Sequence, residues 1–146
     1  MKKIGSVISL LFIFLFLLVS NVNSSSDWVK YKDNDQGVYS YKKVKIQKDN
    51  GRYIIQVWSN VIFSHKGRKN AIQIISKSGS STKGWDKLSR YELLTEQDCK
   101  NKRYRELSLI VYDSDGKVLR SENYKTDWKY IIPDSKEEVS HKIFCK

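Results

Sequence analysis

Histidine and cysteine are scarce in this 146-residue chain, with two of each: His65, His141, Cys99 and Cys145. No CxxC spacing occurs, and nothing in the sequence brings the two histidines together as an acid–base pair or as metal ligands. No set of nucleophile and base stands out either. We therefore expect two exposed histidines, no catalytic residues, no metal and no cofactor, and we predict a protein that is not an enzyme.

The chain also lacks an apolar run long enough to span a membrane. Its longest run, residues 7–19, is broken only by Ser9. It is about 13 residues long, whereas a membrane-spanning helix needs roughly 20. Lys2 and Lys3 precede the run and polar residues follow it, which is the pattern of a secretory signal.

We predict a signal peptide over residues 1–24. Val22 and Ser24 are small enough for the peptidase, so cleavage is expected after Ser24, with Ser20 and Asn23 as alternatives. No cysteine follows the apolar run to carry a bacterial lipid anchor. The expected product is an exported protein, periplasmic or secreted, without a membrane span after signal removal.

The expected mature chain, residues 25–146, is one basic domain without internal repeats. Removal of the signal takes away Lys2 and Lys3 and leaves 25 basic against 16 acidic residues, a net charge of +9. The length is sufficient for one hydrophobic core. Positive charge favours an acidic protein, an acidic glycan or an acidic envelope component as partner. Because the protein is exported, we expect no nucleic-acid partner.

The two cysteines are expected to form a disulfide. An even number of cysteines in an exported chain indicates disulfide bonding, and Cys99 with Cys145 is the one pairing available. A metal or catalytic thiol is the alternative, and it would need further ligands or a base.

Alternating apolar and polar residues predict an α+β fold that is mainly β, an antiparallel meander. The strongest signal is a hairpin over residues 43–64, because Asn50 and Gly51 suit the positive φ angles of a type I′ turn. Its second strand is apolar on both faces, which is typical of a central strand. Further strands are predicted over 88–97, 103–112 and 117–123, and a short helix over 67–78.

A second helix is predicted from about Ser135 to Phe144. Ser135 and Glu138 have the spacing of a capping box, and we expect Val139 and Ile143 to pack on the sheet. Two turns are too few to persist alone. The disulfide at Cys145 is therefore predicted to pin this helix to the sheet.

The chain resembles the surface-adhesin protein E family over nearly all of its mature length. The resemblance rests on residues in a common order and spacing: Trp28, Val57, Trp58, Asp98, Cys99, Lys100, Arg103, Tyr104, Arg105, Leu107, Ser108, Tyr112, Asp113, Gly116, Trp128, Pro133, Ser135 and Cys145. It implies an antiparallel sheet with a C-terminal helix tethered by the disulfide. It also implies adhesion to host extracellular proteins, although no compact ligand-binding motif can be carried over. Trp58, Arg105, Trp128, Pro133 and Ser135 are interpreted as structural motif residues.

The candidate binding residues are four lysines on the predicted hairpin: Lys42, Lys43, Lys45 and Lys48. Lysines also protect strand edges from aggregation, which is the structural alternative. A second basic cluster contains Arg103 and Arg105. If Arg105 shares a face with Leu109, it lies at the rim of the core and needs a carboxylate, Asp98 or Glu138.

The four tryptophans could form a sugar-stacking platform, but scattered tryptophans more often pack in the core and at its rim. The first interpretation is thus an exported, non-enzymatic binding module that presents a basic surface to an acidic ligand. The alternative is a periplasmic accessory or assembly protein with a specific bacterial partner. The sequence does not identify the ligand or the oligomeric state.

Overall fold

The computed structural model describes residues 27–146. The predicted signal peptide, residues 1–24, and its cleavage site after Ser24 lie outside the described residues.

Within residues 27–146, seven strands form one antiparallel sheet. Strands β1 to β6 lie side by side in chain order, and β7 pairs with β5 at the edge. The strands are β1 (Val29–Asn34), β2 (Gly37–Asp49), β3 (Arg52–Phe63), β4 (Leu88–Asp98), β5 (Arg103–Asp113), β6 (Val118–Asn123) and β7 (Lys129–Tyr130). The predicted antiparallel meander is confirmed.

The turn between β2 and β3 has the predicted type I′ character. Asn50 has φ 47° and Gly51 has φ 76°, and both angles must be positive in this turn. Strand β3 lies between β2 and β4, so its prediction as a central strand is confirmed. Strand β2 begins at Gly37, six residues before the hairpin predicted from residue 43.

Two α-helices connect to the sheet: α1 (His65–Lys77) and α2 (Lys136–Phe144). Helix α1 begins two residues earlier than predicted because the Ser64 side chain caps it, accepting a hydrogen bond from the Gly67 N–H at 3.0 Å. A Cβ on Gly67 would lie 1.8 Å from the Gln36 carbonyl oxygen. This close approach holds the start of α1 against the β1–β2 turn.

Ser135 caps α2 as predicted, but the second half of the capping box differs. The Ser135 side chain accepts a hydrogen bond from the Glu138 N–H at 3.2 Å. The Glu138 carboxylate instead accepts one from the Asp134 N–H, at 3.0 Å. The Ser135 N–H donates to the Ile132 carbonyl. The hydrogen bonds made by the Ser135 and Glu138 side chains stabilise the first turn of the helix.

Both α-helices pack on the same face of the sheet, here called the helix face; the opposite face is called the open face. Residues paired across antiparallel strands project to one face. Val57 pairs with Thr95 and contacts α2, so both lie on the helix face. Gln56 and Trp58 flank Val57 on the same strand and therefore lie on the open face.

The core consists of two clusters rather than the single core expected. One contains Ile55, Val57 and Phe144, beneath α2. The other centres on the buried side chains of Trp85, Leu88 and Val111, with α1 packed against it. A 12-residue strand extends about 40 Å, whereas the nine residues of α2 extend about 14 Å. Because α2 is so short, each helix covers one end of the sheet.

Helix α2 is anchored by Phe144, not by Val139. Phe144 is fully buried and Val139 is 50% exposed, while Ile143 packs at the edge of the cluster as predicted. Glu137 and Ser140 lie seven and four residues before Phe144, on the same side of the helix. The sheet-facing side of α2 is therefore largely polar. For this reason apolar periodicity wrongly predicted that Val139 packs on the sheet.

The structure joins Cys99 and Cys145, with Cα atoms 5.4 Å apart. Cys99 follows β4, and Cys145 immediately follows Phe144 at the end of α2. The tether and the buried anchor thus hold the same end of the helix. No helix among residues 27–146 is long and apolar enough to cross a membrane.

Candidate binding surface

The four candidate lysines lie on β2, in the lysine hairpin formed by β2, β3 and their turn. Lys43, Lys45 and Lys48 are exposed, and Lys42 is partly buried. The Lys42 Nζ lies 3.0 Å from a carboxylate oxygen of Asp27. Lys43 and Lys45 form no ion pair with the side chains described between residues 27 and 146. Lys43 and Lys45 therefore present positive charge that the described side chains do not neutralise.

A β-bulge at Val44 divides the lysines between the two faces. Lys43 pairs with Val57, and Lys45 pairs with Gln56, so Val44 is the extra residue. Lys42 pairs with Trp58. Lys42 and Lys45 consequently share the open face. Lys48 pairs with Tyr53, so Lys43 and Lys48 lie on the helix face.

The open face beside Lys42 and Lys45 combines charge with an aromatic ring. Trp58 is partly exposed and directly opposite Lys42, and Gln56 is directly opposite Lys45. We call these four residues the hairpin patch. Two ammonium groups beside an indole and an amide can bind carboxylate or sulfate groups and contact an apolar ligand surface.

Arg105 lies on the open face, and the expectation that it shares a face with Leu109 is wrong. Leu94 pairs with Ser108, whereas Thr95 pairs with Glu106, which leaves Leu107 as an extra residue in β5. This bulge reverses the face of every residue that precedes it. Arg105 binds neither Asp98 nor Glu138. Its Nε donates to Glu96 Oε2 at 2.6 Å, and its Nη2 contacts the same carboxylate oxygen.

Arg103 forms the second buried ion pair of this face. Its Nη2 lies 2.8 Å from the Asp98 carboxylate, which is fully buried and also accepts two hydrogen bonds from Asn101. Desolvation favours a raised pKa for Asp98, but the bonds from Arg103 and Asn101 outweigh it and lower the pKa. The pKa of Glu96 is likewise lowered, because bonds from Gln56 and Arg105 outweigh desolvation.

Trp128 covers both arginines. Its ring centroid lies 4.3 Å from Cζ of Arg105 and 5.2 Å from Cζ of Arg103, which is within the range of cation–π interactions. These arginines are thus held between buried carboxylates and an indole ring. Arg105 and Trp128 thus contact each other on the open face, and both arginines have a carboxylate partner there.

The other motif residues are distributed along the fold. Pro133 is exposed, in the segment between β7 and α2, just before the helix cap at Ser135. Trp85 is 6% exposed, in the cluster beneath α1. Trp28, Trp58 and Trp128 are partly exposed. The structure therefore shows one core tryptophan and three at rim or surface positions.

The two histidines lie on different helices. His65 is exposed at the start of α1. His141 in α2 is partly buried, although we expected it to be exposed. Burial is the main cause that lowers its pKa, and the nearby positive charge of Lys102 lowers it further. Among the described residues, no group of three or more His, Cys, Asp or Glu side chains is arranged to hold a metal.

A cleft beneath α2 was not predicted. It encloses about 140 Å³ between this helix and the helix face of the sheet. Its lining residues come from strands β1 to β5 and from α2. No local sequence pattern could have revealed it, because only the strand register brings these residues together.

Comparison with known protein families matches residues 28–146 to surface-adhesin protein E. No curated protein and no solved structure matches the chain. The family match covers almost all of the described residues, including the sheet, α2 and both cysteines. This chain therefore belongs to the surface-adhesin protein E family.

Proposed function

We propose that the protein is an exported, non-enzymatic binding module whose lysine hairpin contacts an acidic protein, glycan or envelope component. Family membership supports an adhesin-like role. The observation that carries the proposed site is the open-face position of Lys42 and Lys45, of which Lys45 is exposed and forms no ion pair with the side chains described. Within the hairpin, Lys42 and Lys45 are the stronger pair because they flank Trp58 and Gln56 on the open face.

Charge reversal on the open face is expected to weaken binding to a sulfated glycan. Heparin serves as the probe. The Lys42→Glu, Lys45→Glu double variant should raise the dissociation constant about tenfold or more, equivalent to at least about 1.4 kcal/mol. Surface plasmon resonance at several salt concentrations measures this effect. Binding by the original protein should weaken steeply as salt rises, because exposed charges are screened.

Two control variants carry the same change in net charge. Lys43→Glu with Lys48→Glu alters the helix face of the same strand, and Lys69→Glu with Lys77→Glu alters exposed positions on α1. Both should affect binding less than the open-face variant. Equal losses in all three would show attraction by net charge alone and would reject the hairpin patch. Insensitivity to salt would favour the alternative, a packed interface with a specific bacterial partner.

Export is tested at the N-terminus. We expect the protein recovered from the periplasm or the medium to begin at about Ser25, since Val22 and Ser24 suit signal peptidase. Edman sequencing or intact mass measurement identifies the first residue. A protein that retains Met1 would contradict the export proposal.

A further inference from the structure

The cleft beneath α2 has a floor formed by strands β4 and β5. Gln97 pairs with Tyr104 and Thr95 pairs with Glu106, so these four side chains form a block on the helix face. Tyr31, Tyr39 and Tyr91 contribute further lining from the sheet. Glu137 and Ser140 of α2 close the cleft from above. The site thus combines aromatic rings with amide and carboxylate groups.

Gln97 leaves a buried acceptor unused. The residue is 3% exposed, and its Oε1 has no hydrogen-bond partner among residues 27–146. A buried polar atom without a partner is destabilising, and native proteins retain few of them. Gln97 lines the cleft, so a donor that enters the cleft and reaches this oxygen would satisfy it.

Glu106 provides a second available acceptor. Its carboxylate forms no ion pair with the side chains described, and its one side-chain contact is with the Tyr124 hydroxyl at 3.5 Å. Gln97 and Glu106 are diagonal neighbours across β4 and β5, a separation of about 7–8 Å between Cα atoms. A group with several donors can lie between the two acceptors.

Two carboxylates, those of Glu106 and Glu137, act on the tyrosines of the cleft. Burial raises the pKa of Tyr91, and the carboxylates of Glu106 and Glu137 raise it further. The pKa of Tyr104 is raised by burial and by the same two carboxylates. The tyrosines therefore remain neutral, and their rings offer negative faces to a cation.

Two lysines of the chain line the cleft without supplying the missing donor. Lys136 lies 3.6 Å from Glu137, and its side chain is 87% exposed. The Lys32 Nζ lies 5.4 Å from the centroid of the Tyr39 ring. Neither ammonium is bonded to Gln97 Oε1 or paired with Glu106. The position of Lys32 also shows a cation resting against an aromatic ring of this cleft.

We propose that the cleft beneath α2 binds a primary ammonium or guanidinium group, held by Gln97 Oε1 and the Glu106 carboxylate among tyrosine rings. Such groups carry donors and no acceptor, which matches an unused amide oxygen beside a carboxylate that forms no ion pair with the side chains described. The cleft volume, about 140 Å³, corresponds to about five waters at about 30 Å³ each and suits the end of one basic side chain. This site lies on the helix face, away from the hairpin patch on the open face, and has the opposite charge preference.

The test uses Nα-acetyl-L-arginine amide, here called arginine amide, and its neutral analogue Nα-acetyl-L-citrulline amide, here called citrulline amide, as probes. In two-dimensional NMR titrations of the mature protein, arginine amide should produce saturable shifts at Gln97, Tyr104 and Glu106. Citrulline amide should bind at least about tenfold more weakly, because it lacks the charge. The capped peptides Gly-Arg-Gly and Gly-citrulline-Gly form a second pair. If the arginine peptide binds more tightly than arginine amide, the natural ligand of the cleft is a basic side chain of a polypeptide. If arginine amide binds more tightly than the peptide, the natural ligand is a free small molecule.

Two variants test the acceptors. Glu106→Gln should raise the dissociation constant of arginine amide about tenfold, whereas Glu122→Gln, a control on β6 outside the cleft, should leave it unchanged. Gln97→Met should also weaken binding, yet raise the melting temperature of the unliganded protein, since it removes an unsatisfied buried oxygen. If Gln97 had a purely structural role, the same substitution would instead lower the melting temperature of the protein.

Equal binding of arginine amide and citrulline amide would overturn the proposal. So would the absence of saturable shifts, which would leave the cleft to solvent. Unchanged affinity in Glu106→Gln would also overturn it.

Discussion

Replacing Cys145 with serine is expected to lower the free energy of unfolding by about 4 kcal/mol, the value for closing a loop of about 46 residues in the chain-entropy model. The first local effect should be faster amide exchange in α2. Phe144 remains as an apolar anchor, but ordering the nine residues of α2 costs about 1–2 kcal/mol each in backbone entropy. Burying one phenylalanine returns only about 1.5–3 kcal/mol.

Hydrogen exchange with mass spectrometry and chemical denaturation measure these two effects. Cys99→Ser and the double variant should match Cys145→Ser in stability, because all three remove the same bond. Ile75→Ala is the local control, since Ile75 packs in the cluster beneath α1 and should loosen that end of the sheet instead. If the amides of α2 exchange as slowly as those of β3 after the disulfide is removed, the disulfide is not what holds the helix on the sheet.

Asp98→Asn is expected to destabilise the protein by about 3 kcal/mol, at the lower end of the range for breaking a buried ion pair. The substitution leaves the Arg103 guanidinium, whose side chain is 23% exposed, without its counter-charge. The fully buried position of Asp98 offers little water to compensate. Urea denaturation at neutral pH measures the loss.

The same ion pair predicts how stability depends on pH. The pKa of Asp98 is lower in the folded protein than in the unfolded chain, where it is about 3.9. Its stabilising contribution is therefore present above about pH 4 and is lost as the pH falls through the folded value. Glu96 acts in the same direction. Stability should thus decline on acidification, and Asp98→Asn should make that decline shallower.

Asp115→Asn is the matched control. Asp115 pairs with Lys87 at 2.8 Å, but both side chains are more than half exposed, and exposed ion pairs contribute little. This variant should change neutral-pH stability only slightly. A loss as large as that of Asp98→Asn would show that burial is not what makes the Asp98–Arg103 pair important.

Local sequence patterns were sufficient to predict most of the sheet. Alternation located β3, β4 and β5, and Asn50–Gly51 predicted the turn, because both signals depend on neighbouring residues alone. The edge strand β7 was missed because two residues carry no periodicity. The face of Arg105 was predicted wrongly because the bulge at Leu107 depends on pairing with β4, which a single strand does not encode.

The proposed binding residues were less accessible to prediction. The lysines on β2 could be selected by charge, but their division between two faces follows from the bulge at Val44. Gln97 and Glu106 have no distinctive sequence context, and their juxtaposition depends on the register of two strands. The residue that anchors α2 was also difficult to predict. Because the sheet-facing side of this helix is largely polar, apolar periodicity favoured Val139 over the buried Phe144.

The order of the strands has a consequence for how the chain acquires its structure. Each of strands β1 to β5 pairs with the next strand in sequence, so each of these hairpins can form as soon as its second strand is available. Hairpin formation takes about 1–10 μs, whereas disulfide formation takes seconds to hours. The sheet can therefore assemble while Cys99 is still a free thiol awaiting residues near the C-terminus. Oxidation, rather than strand pairing, is expected to limit the rate at which the mature structure is completed.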